Sequence, residues 1–105
     1  MVTYDEFARL DVRAARVTSA EPIPGKTRIM RGVVDIGGES RSVIIGGAEH
    51  HSPEDMVGRA VVVVANLEPK EVAGVVSEAM LLAADVDGVP FWLSPGDAPP
   101  GSRVS

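Results

Sequence analysis

Three basic residues, Lys26, Arg28 and Arg31, lie within six positions and could hold the phosphates of an anionic ligand. Lysine and arginine attract phosphate by charge, and the guanidinium group also donates paired hydrogen bonds to it. A solvated strand face explains the same residues without any ligand, and charge alone favours that simpler interpretation. A regular strand would point Arg28 and Arg31 to opposite faces, so only a bulge at Gly32 or a strong twist would bring them together.

Two other segments invite a metal interpretation. Glu49, His50 and His51 are adjacent, but neighbouring side chains of an extended segment point to opposite sides, and no HExxH spacing is present. Asp85-Val86-Asp87-Gly88 begins like a calcium loop, yet Gly96 falls where the bidentate glutamate would be. We therefore predict no metal site, a polar segment leading into a helix at the histidines, and a turn at the acidic segment.

Nothing in the chain has the spacing of a catalytic centre. The serines lie in no recognisable nucleophile motif, and Gly46-Gly47 is not followed by the Lys-Ser or Lys-Thr pair of a phosphate-binding loop. We predict no catalytic residue, no cofactor and no enzyme activity. The only aromatic residues are Tyr4, Phe7, Phe91 and Trp92, a poor supply for a base-stacking platform, and the last two are predicted in a core or an interface.

Length and charge bound the class of protein. The 105 residues fit a single domain, residues 1–105, with a modest core. Fifteen acidic and ten basic residues give a net charge of −5, which argues against general nucleic-acid binding by charge. Residues 1–52 hold seven of each sign, whereas residues 53–105 hold three bases and eight acids. An anionic partner would therefore be attracted mainly by strands of the first half.

The absence of cysteine excludes a disulfide framework and a thiolate metal site. The N-terminus lacks the basic and apolar segments of a signal peptide, and no apolar run approaches the ~20 residues of a membrane helix. These features predict a cytoplasmic protein with no membrane partner.

The stretch from Arg59 to Asp85 organises the predicted fold. Ala60 to Leu67 is apolar at nearly every position and rich in valine, which predicts a strand covered on both faces. Glu68-Pro69-Lys70-Glu71 ends that strand, because proline supplies no backbone donor. Val76 to Ala84 is predicted as a second apolar strand, and two polar residues near its start lie either at a sheet edge or against a ligand.

Capping residues and the alternation of apolar residues predict the N-terminal elements. Thr3 and Glu6 have capping-box spacing, which predicts a short helix from Tyr4 to about Ala8 that sets Phe7 and Leu10 toward a core. The segment 10–20 switches its apolar parity near residues 14 and 15, which predicts a bent first strand with a bulge.

Turn signals place the remaining elements. Lys26 to Ile36 and Arg41 to Ile45 are predicted as antiparallel strands joined at Gly37-Gly38. Ser52 and Pro53 begin a second short helix that Gly58 ends, and Pro90 to Leu93 forms a short strand. Five or more short strands with a helix between the third and fourth predict an all-β fold, a five-stranded OB-fold barrel with short helices. A five-stranded sandwich with another winding is the alternative.

Three segments resemble the tRNA-binding domain family, found free-standing, at the C-terminus of methionyl-tRNA synthetases, or as their separate small subunit. DEFARLDVRAARV is similar to its opening, EHHSPEDMVGRAVVVVANLEPKEVAGVVSEAMLLAAD to its middle signature, and PPGSRV to its close. The resemblance implies an OB-fold barrel with C-terminal dimerisation strands. It also implies a symmetric dimer that grips the outer corner of tRNA without reading an anticodon.

The resemblance extends to single residues. Arg28, Arg31 and Lys70 match basic positions of the family, and Ser77 and Met80 match the serine and methionine of its signature. With Lys26 added, the predicted tRNA-binding residues are Lys26, Arg28, Arg31, Lys70, Ser77 and Met80. Asn66 also matches and is predicted to form a buried hydrogen bond that shapes the loop. Glu71 departs from a frequent base and His51 from an aromatic residue, and the acidic second half weakens any electrostatic grip.

The resemblance favours a non-enzymatic, homodimeric accessory to an aminoacyl-tRNA synthetase, similar to a methionyl-tRNA synthetase beta subunit, that binds tRNA by shape. Its expected partners are tRNA, a second copy of the chain and methionyl-tRNA synthetase. A secretion chaperone of the same fold that binds polypeptides is the first alternative, and an assembly module that docks synthetase subunits through its apolar tail is the second.

Overall fold

A computed structural model describes residues 1–105. In chain order the elements are α1 (Tyr4–Ala8), β1 (Val12–Pro22), β2 (Ile29–Asp35), β3 (Ser40–Gly46), α2 (Pro53–Met56), β4 (Ala60–Val64), β5 (Lys70–Val72), β6 (Val75–Ser77), β7 (Met80–Leu81), β8 (Ala83–Val86) and β9 (Val89–Trp92). Five antiparallel strands in the order β3-β2-β1-β4-β7 form a nearly closed barrel, and β5-β6 and β8-β9 are separate hairpins. The predicted all-β, five-stranded barrel of the OB type is confirmed.

Strands β2 and β3 alternate regularly between the core and an outer face. Met30 and Val34 of β2 and Val43 and Ile45 of β3 are buried inside the barrel, and their sequence neighbours are more exposed. The β2-β3 pairing runs from Ile29–Asp35 to Ser40–Gly46 without a register shift. The predicted antiparallel hairpin at Gly37-Gly38 is confirmed, and it fixes which residues share the outer face.

Strand β1 contains a register shift, but it lies around Thr18, three residues after the predicted bulge at Ala14 and Ala15. Its pairing with β2 shifts register between Val17 and Ser19. The switch in apolar parity near Ala14 and Ala15 is not caused by a bulge. Both of these neighbouring residues are buried, so both faces of β1 are covered here. In this half β1 pairs with β4 on one side and with the C-terminal segment on the other.

Strand β4 is covered on both faces, as predicted. Val61 and Val63 belong to the main core, whereas Val62 and Val64 belong to a second, smaller cluster with Val12. The strand ends at Val64, before the predicted end. Ala65 N still donates to Asp11 O at 2.7 Å, in register with the Val12–Val64 pair, but Asp11 N donates to the Asn66 side chain instead of to Ala65 O, so the ladder stops there.

The single strand predicted over Val76 to Ala84 is wrong. The run is divided among β6, β7 and β8, which pair with β5, β4 and β9 respectively. The break follows Ser77, whose hydroxyl donates to Ala79 O at 3.1 Å and accepts from Ile44 N at 3.2 Å. A side chain that bonds nearby backbone groups competes with the regular ladder, and here it turns the chain between β6 and β7.

Both predicted helices form, and both have complete capping boxes, at Thr3 and at Ser52. The predicted burial of α1 is wrong, because it contributes no buried residue and Phe7 and Leu10 remain 44% and 41% exposed. Strand side chains already fill the barrel, so the apolar side of α1 lies outside it. Neither helix reaches the length and apolarity that crossing a lipid bilayer requires.

The C-terminal segment is held against the barrel by main-chain contacts. Val104 N donates to Val12 O at 2.8 Å, and Ala14 N donates to Ser102 O at 2.8 Å. The turn at Gly101 rests on the β2-β3 turn, where a Cβ on Gly37 would lie 2.8 Å from Gly101 Cα. Both glycines also have positive φ, so side chains are excluded here by space and by backbone conformation.

Candidate nucleic-acid interface

The outer face of β2 and β3 forms the centre of the candidate interface. Arg31 of β2 is paired with Ile44 of β3, and on its other side with Glu21 of β1. Side chains of directly paired residues lie on the same face of a sheet. Arg31, Ile44 and Glu21 therefore form one row across three strands.

A segment that we call the arm, residues 66–77, extends this row. The arm leaves the barrel after β4, forms the β5-β6 hairpin around a turn at Ala73-Gly74, and returns to the barrel at Glu78. Lys70 of β5 is paired with Ser77 of β6, and the Ser77 hydroxyl accepts the hydrogen bond from Ile44 N. Ser77 and Lys70 therefore come next in this row after Arg31 and Ile44, joined to β3 by this hydrogen bond rather than by strand pairing.

Three predicted site residues meet where the arm packs beside β3. Lys70, Ser77 and Met80 line a cavity of about 210 Å³. The other lining residues are mostly apolar: Ile44, Leu67, Glu68, Val72 and Ala79. Sequence reasoning missed Ile44 and Val72, because only the β2-β3 and β5-β6 registers show that they face the same space.

A second groove, of about 370 Å³, lies between the β1-β2 loop and the tip of the arm. Arg31 lines it, together with Glu21, Pro22, Ile23, Pro24, Ala73, Gly74 and Val75. In barrels of this type, the face of the second and third strands and the loops after the first and fourth strands bind oligonucleotides. The groove lies at that place.

Lys26 and Arg28 are outside the strand predicted to contain them. β2 begins only at Ile29, so both residues belong to the exposed β1-β2 loop, where Lys26 N donates to Ile23 O at 3.0 Å. Arg28 and Arg31 also have different neighbours, and no bulge at Gly32 brings them together. The loop and the outer face supply separate basic groups.

Carboxylates accompany both arginines. Arg28 Nε lies 3.5 Å from a carboxylate oxygen of Glu49, and Arg31 Nε lies 3.2 Å from one of Glu21. The arginine side chains are 84% and 49% exposed, and exposed ion pairs contribute only ~0–1 kcal/mol. A phosphate can therefore replace either glutamate at small cost. Lys26 and Lys70 form no ion pair.

Glu71 and Asn66, which lie near Lys70 in sequence, make different contacts. Glu71, which stands where the family often has a base, is paired with Val76 and lies on the opposite face of the hairpin from Lys70. Asn66 forms the predicted hydrogen bonds, although it is exposed rather than buried. Its Oδ1 accepts from Asp11 N at 2.8 Å and its Nδ2 donates to Arg9 O at 2.6 Å, which ties the start of the arm to the N-terminal segment.

The Ser77 hydroxyl is largely used within the protein. It donates its proton to Ala79 O and accepts from Ile44 N, which leaves one oxygen lone pair free. Met80 is exposed and lines both the cavity and a separate apolar groove.

The histidine segment packs against the C-terminal hairpin. His51 Nε2 lies 3.1 Å from Pro90 O, and its ring centroid lies 6.0 Å from that of Trp92. Trp92 packs against the main core, as predicted, whereas Phe91 is 56% exposed. The predicted turn at Asp85–Gly88 is confirmed, with Gly88 N donating to Asp85 Oδ1 at 2.9 Å. No group of three His, Cys, Asp or Glu side chains is arranged to hold a metal ion.

An ion pair lies at the start of β1. Arg13 Nε donates to Asp11 Oδ1 at 2.8 Å. This hydrogen bond holds the pKa of the Asp11 carboxyl below its usual range and raises the pKa of Arg13.

A large apolar groove, which we call the apolar surface, lies outside the candidate interface. α1, β1, the second face of β4 and the C-terminal segment contribute to its volume of about 610 Å³. Its lining residues are Phe7, Leu10, Val12, Val62, Val64, Leu67, Met80, Leu82, Leu93, Ser94 and Val104. Only Ser94 among them is polar.

Comparison with known proteins agrees with this geometry. Residues 12–103 match the family "Putative tRNA binding domain". The methionine–tRNA ligase of Clostridium tetani is 44% identical over 106 residues, which cover 98% of this chain but 16% of that enzyme. The chain thus spans about one sixth of the length of this relative.

Two solved structures have the same fold over the whole chain. The MetRS related protein from Pyrococcus horikoshii superposes with a TM-score of 0.93 at 32% identity, covering 100% of this chain and 98% of that one. The chaperone CsaA from Bacillus anthracis superposes with a TM-score of 0.90 at 31% identity, covering 100% and 99%. The chain belongs to the tRNA-binding domain family.

Proposed function

We propose that this domain binds tRNA by shape, in the cytoplasm, as a homodimeric accessory to an aminoacyl-tRNA synthetase. The observation that carries the proposal is the row of Arg31, Ile44, Ser77 and Lys70, beside a groove at the place where OB-type barrels bind oligonucleotides. Membership of the tRNA-binding domain family supports RNA as the ligand.

Four basic side chains are assigned to the phosphates: Lys26, Arg28, Arg31 and Lys70. The first two extend from the β1-β2 loop and the last two border the outer face, so they could follow a backbone rather than one phosphate. The free lone pair of Ser77 suits a ribose 2′-hydroxyl, which can donate a hydrogen bond. Met80 provides apolar contact at the edge of the cavity.

Recognition of shape rather than sequence follows from the side chains on this face. Neither the cavity beside the arm nor the groove beside Arg31 is lined by an aromatic residue. Sequence-specific RNA recognition uses splayed bases stacked on aromatic or arginine planes, whereas folded RNA is recognised through its backbone and 2′-hydroxyls. A folded tRNA is thus the better fit.

The proposed dimer uses the apolar surface. A groove of about 610 Å³ with ten apolar residues among its eleven lining residues is a large exposed patch for a chain of 105 residues. Exposed apolar patches of this kind mark protein interaction sites. A second copy of the chain is a suitable occupant, because it brings the same apolar residues to a two-fold interface.

The accessory role rests on the relatives. This chain matches one part of methionine–tRNA ligases and resembles a MetRS related protein along almost its full length. We propose that the domain raises the affinity of methionyl-tRNA synthetase for tRNA and has no catalytic step of its own. Linking a second binding site to an enzyme raises its effective affinity without new contacts at the catalytic centre.

Polypeptide binding is the second candidate. Two observations favour it: the mostly apolar lining of the cavity beside the arm, and the likeness to the chaperone CsaA. An extended peptide with apolar side chains could occupy that cavity without using Lys26, Arg28 or Arg31.

A titration at several salt concentrations separates the two candidates. Whole tRNA, a single-stranded RNA of equal length and an unfolded apolar peptide are each titrated against the protein. We expect tRNA to bind most tightly and to weaken steeply as salt rises, since phosphate contacts release counterions. Tighter binding of the peptide, with little dependence on salt, would favour the chaperone function instead.

A further inference from the structure

Arg41 does not contribute to the basic groups of the candidate interface. Along β3 it has the parity of the buried Val43 and Ile45, and its cross-strand partner is the buried Val34. Its side chain is only 23% exposed. The guanidinium therefore lies on the barrel side of β3, whereas Ser42 and Ile44 are on the outer face.

The Arg41 guanidinium contacts both ends of the arm. Nη1 donates to Ala65 O at 2.8 Å, at the end of β4, and lies 3.4 Å from Glu78 O, immediately after β6. Nε donates to Glu39 Oε1 at 3.0 Å. No other side chain bonds the backbone at both residues that flank the arm.

Ser42, the next residue of β3, strengthens the contact at the second end. Its hydroxyl lies 2.8 Å from Val76 O and 2.9 Å from Glu78 Oε1, and Glu78 N donates to Ser42 O at 2.8 Å. At the first end the contact of Arg41 with Ala65 O is the only hydrogen bond from β3 to the arm's base. Arg41 is thus the group that joins the first end to the strand carrying the outer face.

We propose that Arg41 is a positioning residue for RNA binding, which fixes the arm so that Lys70 stays in line with Arg31. A guanidinium is suited to this role because its planar group donates to several acceptors in fixed directions, which an ammonium cannot reproduce. The consequence for RNA rests on the tRNA binding proposed above, whereas the anchoring of the arm does not.

The test compares Arg41→Gln and Arg41→Lys with Arg16→Gln as a matched control. Arg16 Nη1 also donates to a backbone carbonyl, Gly58 O at 2.9 Å, but in the loop before β4 and away from the arm. Amide hydrogen exchange is measured on the free proteins. Binding of whole tRNA is measured for the wild type and each variant, with and without Lys70→Ala.

We expect Arg41→Gln to raise amide exchange in residues 66–77 on the order of tenfold, with β1, β2 and β3 unchanged. It should weaken tRNA binding about tenfold, but less than about threefold when Lys70 is already alanine, because residues that act through one another are not additive. Arg41→Lys should behave like the glutamine variant in both measurements, and Arg16→Gln like the wild type.

Unchanged exchange in the arm, or an equal loss of affinity with and without Lys70, would overturn the proposal. If Arg41→Gln fails to fold, Arg41→Lys decides by the same criteria. A wild-type protein that binds no tRNA would contradict the proposed function, while the exchange data would still test the anchor.

Discussion

The candidate interface and the apolar surface are built from different kinds of residue on one small barrel. The interface presents separated basic groups, each exposed and two of them beside glutamates, whereas the apolar surface presents ten apolar side chains in one groove. Contacts of the first kind weaken with salt, and contacts of the second kind do not. The comparison teaches that the proposed RNA binding and the proposed subunit association can be changed separately, except at Leu67 and Met80, which line both the cavity beside the arm and the apolar surface.

The largest effect is expected from a charge on the apolar surface. Leu10→Asp should dissociate the proposed dimer, because two copies would bring desolvated like charges together at a cost of several kcal/mol. That corresponds to a dimer weakened at least about 100-fold, which sedimentation velocity would show as a monomer. Leu10 is 41% exposed in the single chain, so the fold should remain intact.

Val57→Asp is the control for this prediction. Val57 is 49% exposed and lies after α2, outside the apolar surface, so this variant should sediment like the wild type. Equal association of the wild type and both variants would contradict the proposed use of the apolar surface in a dimer.

The second prediction concerns the basic groups. Arg28→Ala with Arg31→Ala should weaken tRNA binding on the order of 10- to 100-fold at low salt and leave the dimer intact. The slope of log K against log salt should fall by about two, roughly one for each phosphate that is no longer neutralised. Arg16→Ala with Arg59→Ala removes the same charge beside α2, where both side chains bond backbone carbonyls, and should change neither value much. An unchanged gel-shift titration of the first variant would exclude this surface.

A smaller effect is expected at Ser77. Ser77→Ala removes the acceptor of Ile44 N and the donor to Ala79 O, both partly buried. Leaving such groups unpaired costs ~1–3 kcal/mol, so the free energy of unfolding in urea should fall by about that amount. The Ser94 hydroxyl accepts only from Gly96 N, in an exposed turn, so Ser94→Ala should change the free energy of unfolding little. Equal stability of the two variants would show that Ser77 does not hold β3 and the arm together.

The smallest effect is a pH dependence at the start of β1. The pKa of Asp11 is lowered in the folded protein by the hydrogen bond from Arg13, so the carboxylate stabilises the fold above its unfolded pKa of ~3.9. This contribution is lost as pH falls through the lower, folded value. The free energies of unfolding in urea of Asp11→Asn and the wild type should therefore differ at pH 6, and the difference should shrink as pH falls below about 3.9. A difference that grows on acidification would have the wrong sign.

Local chemistry predicted much of the fold. Both helices follow from capping residues at Thr3 and Ser52, and the β2-β3 hairpin follows from Gly37-Gly38, because these signals act within a few residues. The valine-rich run correctly predicted a strand covered on both faces. The division of residues 76–84 could not be predicted, since it depends on the Ser77 bond to Ile44, 33 residues away in sequence.

The candidate site was predicted less completely. The basic cluster singled out Arg31 and the family resemblance singled out Lys70, but which side chains lie beside them depends on pairing within β2-β3 and β5-β6. The glutamates that accompany Arg28 and Arg31 come from other segments and were not anticipated. From the sequence, Arg41 is one more basic residue of the first half. In the structure, its position on the barrel side of β3 distinguishes it from the exposed basic residues.

The most direct test of the central claim is to map the binding surface by backbone amide chemical shifts with and without whole tRNA. The account predicts that the largest changes fall in the β1-β2 loop, on the outer face of β2 and β3, and in the arm. Changes confined to the apolar surface or to α2, at a tRNA concentration that saturates binding, would contradict it.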